Sequence, residues 1–458
     1  MGSEPLNAPR LALVLGLVGC ERPSRRPPPP PPVTDAPTPA RAPPPPPADG
    51  GGATAPGITP DAAVLEPAAT PTTPARIDVN ATSVDHLVAL PDGAVLLRAM
   101  NREGQRSTDI VATRVDVDGV AVGVPRLLRR TSGPVVRLVG SAREGNLWVA
   151  WGSARPVDDT RADHLVAALR VSADLATVQR PITLQDFRAI VGEPGEPAPQ
   201  ALPALEVGVL AAPGGGAVVV SSAPVVTCDH GEGDHHDRTP CRGWMVARIA
   251  PDGAVRRETE GAIAHIAGPS SLVALGGGFA FAVSNDHIGT KTVIDVRPWG
   301  AADRATLVGD ECWHYRDVQL ARLGASLLAL GAPTESDMAP SPVGHVRVFG
   351  PQAGLTRMRN DEHGSPEWPA VRTRALRCEA GRPVIQLRWA GGAATLDPVR
   401  DGAALDWSAW VSRSELPGLQ GAAPTPPLAW TGRVLVAWDA GGWNRYRCGA
   451  RGGLTPSP

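Results

Sequence analysis

The sequence predicts an all-β fold, a β-propeller of about seven four-stranded antiparallel blades, and three observations carry that reading. A strand signature, clearest at Gly145-Asn146-Leu147-Trp148-Val149-Ala150-Trp151, places a turn glycine before a run of apolar and aromatic residues with β preference. It recurs at Gly93, Gly145, Gly216, Gly278, Gly324, Gly381 and Gly432. The spacings run from 46 residues (Gly278 to Gly324) to 71 (Gly145 to Gly216), the length scale of a repeat architecture whose units cannot bury their apolar faces alone.

The elements around each signature repeat in the same order. A short apolar strand precedes it: Asp85 to Leu90, Val136 to Ser141, Leu205 to Ala211, Leu272 to Leu275, Val318 to Leu323, Val371 to Arg377 and Leu428 to Trp430. Six of the seven are followed by a strand, a turn and a further strand, turning at Asp118-Gly119, Ala173-Asp174, Asp252-Gly253, Trp299-Gly300, Ala353-Gly354 and Asp401-Gly402. Asp-Gly favours tight hairpins because glycine tolerates positive φ without steric cost. After the strand Trp443 to Cys448 the seventh unit has only a Gly/Pro-rich stretch, so residues 450–458 are expected to be a disordered tail. The spare strand Ala75 to Asn80 is then expected to pair with the seventh unit and close the ring, giving a propeller over residues 75–449.

Composition sets bounds on function. The 458 residues include 51 glycines and 50 prolines, which punctuate the chain into short elements. A net charge of -2 gives no strong field, so nucleic acid is not an expected partner. Lys291 is the one lysine, a bias that coding preference explains without ligand chemistry.

Residues 1–19 carry Arg10 and then the apolar run Leu11 to Val18, the layout of an export signal and too short for a bilayer span. Leu17-Val18-Gly19-Cys20 resembles the lipobox of bacterial lipoproteins. That resemblance implies cleavage before Cys20, acylation of Cys20, and attachment to a membrane through the lipid. Glu21 stands where an aspartate tends to retain such proteins at the inner membrane, so the resemblance favours the outer membrane. Glu4, opposing Arg10, and the short apolar run depart from the family pattern. Residues 20–74 follow as a linker with proline runs at Pro27 to Pro32 and Pro43 to Pro47, expected to be disordered and extended, with a reach on the order of 100 Å.

One segment proposes chemistry. Between Cys228 and Cys241 lie His230, Asp234, His235, His236 and Asp237, with Asp229 and Glu232. In an exported protein the two cysteines are expected to form a disulfide across a polar loop. Imidazole and carboxylate are ligands for zinc, nickel or copper, so a divalent metal is the one cofactor the sequence raises; the simpler reading is a solvated, cross-linked loop with no cofactor. The spacing matches neither the helical two-histidine pattern of zinc proteases nor a calcium-binding hand. Cys312, Cys378 and Cys448 remain, and their pairing cannot be ranked from sequence. Trp148, Trp151, Trp389, Trp430 and Trp438 fall on or beside signature strands and are expected to pack between blades.

Three functions compete. The leading one is a lipid-anchored cell-envelope binding scaffold that offers a propeller face to a protein or glycan, with no catalytic residue assigned. The second is a propeller hydrolase or dehydrogenase, although the Ser-x-Asp-x-Gly-x-Thr-Trp turns of sialidase-like propellers and a Gly-x-Ser-x-Gly elbow are both missing from the sequence. The third is a metal-binding envelope protein using the 228–241 segment.

Overall fold

The computed structural model describes residues 82–457 apart from 102–106, 158–160, 191–205, 233–234, 264–265, 286–291, 301–304, 309–314, 334–342, 351–367, 398–406, 420–422, 440–441 and 451. The chain divides into two units, Met1–Arg76 and Ile77–Pro458, and everything below belongs to the second. The signal segment, Cys20, the linker and Ala75 to Asn80 lie outside the described residues.

Seven antiparallel sheets follow one another along the chain and make a seven-bladed β-propeller. The first holds β1 (Thr82–Leu90), β2 (Gly93–Asn101), β3 (Ser107–Val115) and β4 (Ala121–Ser132). The second holds β5 (Val135–Arg143), β6 (Asn146–Pro156), β7 (Arg161–Ser172) and β8 (Ile182–Ile190). The third holds β9 (Val207–Ala211), β10 (Ala217–Glu232), β11 (His235–Ile249) and β12 (Val255–Ile263). The fourth holds β13 (Ile266–Ala274), β14 (Gly278–Asn285), β15 (Thr292–Pro298) and β16 (Ala305–Val308). Among the described residues the fifth and sixth show three strands each: β17 (Tyr315–Leu323), β18 (Ser326–Pro333) and β19 (His345–Phe349), then β20 (Val371–Glu379), β21 (Arg382–Trp389) and β22 (Gly392–Leu396). The seventh holds β23 (Leu428–Trp430), β24 (Leu435–Asp439), β25 (Gly442–Cys448) and β26 (Leu454–Ser457).

The signature glycines sit in the connection between each blade's first and second strands or, for Gly93 and Gly278, at the first residue of the second strand. At Glu144-Gly145 both residues have positive φ, 52° and 74°, and at Ala380-Gly381 the values are 48° and 78°. Two successive positive φ angles define the hairpin turn whose twist matches its strands, and glycine makes its second position cheap. The signature strands are therefore second strands, buried on both faces: Leu147 to Trp151 and Phe279 to Val283 are all buried. Cores form between neighbouring blades, with Trp148 of the second blade packed among Val209, Val219 and Ala247 of the third. Its indole N–H donates to the Gly215 carbonyl at 3.2 Å, satisfying the one polar atom that its burial strands. Trp151, Trp430 and Trp438 are likewise buried and Trp389 partly so, which matches packing between blades.

At the outer edge of the first blade, β4 exposes Val122, Val124 and Leu127. Its register breaks where Gly123 (φ 74°) and Pro125 interrupt the ladder, and a bulge with proline blunts an edge against further pairing.

The pairing of Ala75 to Asn80 lies outside the described residues, while the seventh blade has an outer strand where none was expected. Its outermost strand comes from the chain's C-terminal end: β26 pairs with β25 through Cys448 opposite Leu454, Arg447 opposite Thr455 and Arg445 opposite Ser457. Residues 454–457 are therefore a strand where a disordered tail was expected. Four residues suffice because pairing is carried by backbone groups, and Pro456 is tolerated on an edge. Among the described residues the first and seventh sheets share no strand. Cys378 on β20 is bonded to Cys448 on β25, which fastens the seventh blade to the sixth across 70 residues of sequence, and the Cys378 amide donates to the Gly452 carbonyl beside it.

Loop-closure entropy for that separation puts the disulfide at about 4 kcal/mol. Cys378→Ser should lower urea stability by that order, and adding Cys448→Ser should lower it no further. Removing residues 454–458 should lower the urea midpoint as well, because the backbone edge of β25 loses its partner.

Candidate functional site at the channel mouth

The first strand of each blade lies innermost, and the chain builds every blade in the same sense. The starting ends of β1, β5 and β23 consequently share one face of the ring. At that end a cavity of about 230 Å³ is lined by Val84 to Leu87 of β1, Val136 to Leu138 of β5, Pro427 and Leu428 at β23, Thr425, and Ser408. Ser408 belongs to α1 (Trp407–Trp410), a single helical turn in the stretch that leads into the seventh blade. Its flanking residues Trp407 and Trp410 are fully buried, so the turn is fixed to the core and Ser408 with it.

Two charged residues line the cavity. Asp85 is 15% exposed and committed: its Oδ1 accepts from Nε of Arg98 at 3.1 Å and its Oδ2 from the Trp438 indole N–H at 2.9 Å. The Arg98 guanidinium also stacks over the Trp438 ring, 4.8 Å from its centroid. The trio spans blades one and seven. Arg137, on β5, is 46% exposed and has Glu206 as its carboxylate neighbour, Nε to Oε2 at 3.6 Å, an ion-pair distance too long for a hydrogen bond. Thr425, also on the lining, donates its hydroxyl to the Val411 carbonyl at 3.0 Å.

The same face carries the histidine segment. Val207, the first residue of β9, is registered opposite Ser221, and β10 continues eleven residues further, to Glu232. On the other side β12 ends opposite Arg242. The polar loop expected between Cys228 and Cys241 is, in its backbone, a two-stranded arm beyond both neighbours. His230 is opposite Asp237, Glu232 opposite His235, Gly231 opposite His236, Cys228 opposite Thr239 and Cys241 opposite Val226. The side chains of Cys228, His230, His235, His236, Asp237 and Cys241 lie outside the described residues, as does Asp234 altogether.

Among the described residues, another pair of carboxylates is held by a buried arginine. Arg297, 1% exposed, binds Glu258 at 2.9 Å and Asp295 at 3.2 Å, joining blades three and four, and stacks on Phe281 at 5.1 Å. Burial pushes the neighbouring Arg248 guanidinium down from its ordinary value. Among the described residues no cluster of three or more His, Cys, Asp and Glu side chains could hold a metal ion, and no helix is long and apolar enough to cross a membrane. Sequence reasoning located none of the cavity residues as a site. Asp85 and Val136-Arg137 stand at the starts of predicted inner strands, and that position was the available signal.

No protein-family model and no curated protein matches the chain. Among solved structures it is similar to a GH43_1 enzyme from Xanthomonas citri, at 10% identity over 56% of this chain and 84% of that one, TM-score 0.30. It is similar to the β-propeller domain of the Trilobed protease from Pyrococcus furiosus, described as having an open velcro topology, at 7% identity over 82% and 94%, TM-score 0.37. It is also similar to a puromycin-hydrolyzing peptidase of Mycobacterium tuberculosis, at 15% identity over 81% of this chain and 52% of that one, TM-score 0.35. These likenesses concern fold alone, and no residue role is taken from them.

Asp85→Ala removes the acceptor shared by a largely buried guanidinium and a buried indole N–H. It should cost about 2–4 kcal/mol in urea unfolding, with Asp85→Asn, which keeps an acceptor oxygen, costing less.

Proposed function

We propose that the protein is a lipid-anchored binding protein of the cell envelope that offers the mouth of its propeller channel to a ligand. The observation that carries this reading is the cavity at the starting ends of β1, β5 and β23, lined by the half-exposed Arg137 of β5 and by the hydroxyl residues Ser408 and Thr425 of the stretch leading into the seventh blade. Ligand sites are concave, preformed and supplied with a few placed polar groups, and this cavity has each property. Cys20 supplies the anchor through its lipobox-like setting, and the proline-rich linker supplies reach toward a partner, with the outer membrane the favoured location. Cys20→Ser should move the protein from the membrane fraction to the soluble fraction and abolish incorporation of labelled fatty acid. Unchanged partitioning and labelling would overturn the anchor.

A second reading is favoured by the register of the arm. Alternation along β10 and β11 assigns His230, Glu232, His235 and Asp237 to one face of the ladder and His236 to the other. A divalent-metal site on the arm would then use His230, His235 and Asp237 with Cys228–Cys241 as its clasp, leaving His236 aside. Zinc or nickel titration by calorimetry should show one equivalent bound at neutral pH and loss below about pH 6, where imidazole protonates. His230→Ala with His235→Ala should abolish binding, whereas His236→Ala should leave it. Equal loss in the His236 variant would overturn the ligand set.

A further inference from the structure

We infer that the ligand of the channel mouth is a small hydroxylated carboxylate, with Arg137 as its anchor. This rests on the reading of the mouth as a binding site and goes further by naming the chemistry that fills it. At about 230 Å³ the cavity lies below the range of pockets that take drug-sized ligands, so it suits a compact molecule or the end of a larger one. Arg137 is the one arginine or lysine among the lining residues, which also include His86. Its contact with Glu206 engages Nε at 3.6 Å, leaving the paired terminal N–H groups, the fork that matches a carboxylate, to another acceptor. Asp85 does not compete for that fork, since both of its oxygens already accept from blade partners, and its charge is balanced by Arg98. Thr425, having donated to Val411, offers lone pairs that a ligand hydroxyl can meet as donor, and Ser408 places a further hydroxyl on the same wall. Partners for a carboxylate and for hydroxyls are thus both present: Arg137 on a strand, Ser408 on a turn held by the core, and Thr425 tied to the Val411 carbonyl.

The Arg137–Glu206 pair also sets a competition. A ligand carboxylate that takes the guanidinium must do so in the field of Glu206, so Glu206 weakens binding. Its backbone is held apart from this role by reciprocal bonds with Ser222: the Glu206 amide donates to Ser222 Oγ and the Ser222 amide donates to the Glu206 carbonyl. A Gln at 206 leaves those bonds in place.

The test uses the full mature chain and measures binding of lactate, glycerate and malate by calorimetry, each beside a neutral counterpart such as lactamide or glycerol. At least one acid should bind and its counterpart should bind at least about tenfold more weakly. Arg137→Gln should weaken the acid by about tenfold or more with unchanged urea stability, Arg137→Lys should fall between, and Glu206→Gln should tighten it. Absence of binding by every acid, equal binding of acid and neutral counterpart, or wild-type affinity in Arg137→Gln would each overturn the carboxylate assignment. Binding of neutral polyols that is lost on altering Ser408 or Thr425 would overturn it while leaving the mouth as the binding site, which separates the two failures.

Discussion

The seam between the first and seventh blades is centred on one polar contact, the Asp85, Arg98 and Trp438 trio. Among the described residues the first and seventh sheets share no strand, and β26 gives the seventh blade its own outer strand, so the seam between them is made by side-chain packing and by side-chain hydrogen bonds. One carboxylate satisfies a guanidinium and an indole N–H that would otherwise be desolvated without partners, and the cation lies on the indole face. Beneath it, Leu87, Leu96 and Val115 of the first blade pack against Val434, Val436 and Trp438 of the seventh. Further out, Thr431 donates to the Val117 carbonyl at 2.7 Å, and the turn after Val117 leans so closely on the seventh blade that a Cβ on Gly119 would sit 2.8 Å from Val436. Gly119, at φ 78°, meets both the turn and the approach. The ion pairs of Arg433 and Arg447 with Asp118 are more exposed and add little.

The seventh blade is also held from its other side. The disulfide from Cys378 to Cys448 does this, and so does the stretch between blades six and seven. There Glu415 takes the amide of Leu376 on one oxygen and the amide of Ser412 on the other, tying a helical turn to β20. Arg413 forms a two-bonded pair with Asp439 at 2.9 and 2.7 Å, tying the same turn to β24. Trp407 and Trp410 fill the core between them. The seventh blade is thus fastened covalently and by a polar network to the sixth, while its face toward the first is an ordinary packed seam.

What the sequence made legible follows from which interactions are local. The hairpin glycines and the Asp-Gly turns at 118–119 and 252–253 were readable because positive φ is a demand one residue meets by itself. The inner strand Leu428 to Trp430 was readable from three apolar residues before a turn. β26 was not, since Leu-Thr-Pro-Ser has no strand signal of its own and is a strand only because β25 offers a backbone edge. The extension of β10 and β11 through Asp229, Gly231 and Pro240 was hidden for the same reason: these residues disfavour strands, and the ladder carries them. The seam and the mouth were beyond any local pattern, because Trp438 and Asp85 stand 353 positions apart.

The seam and the mouth are one region. The cavity is walled on one side by Pro427 and Leu428 of the seventh blade and on another by Val84 to Leu87 of the first, so anything held between them touches both sides of the joint. Asp85 belongs to both, lining the cavity while its oxygens fasten Arg98 and Trp438. A ligand that binds only when those walls are in place stabilises the closed ring by RT ln(1 + [L]/Kd), and the same linkage makes any loosening of the seam weaken the ligand. Arg137, on the second blade, stands outside the trio, which lets the anchor for a ligand be altered without disturbing closure. The fold therefore separates two tasks across neighbouring inner strands: β1 carries the carboxylate at the centre of the seam, and β5 carries the cation that faces the solvent.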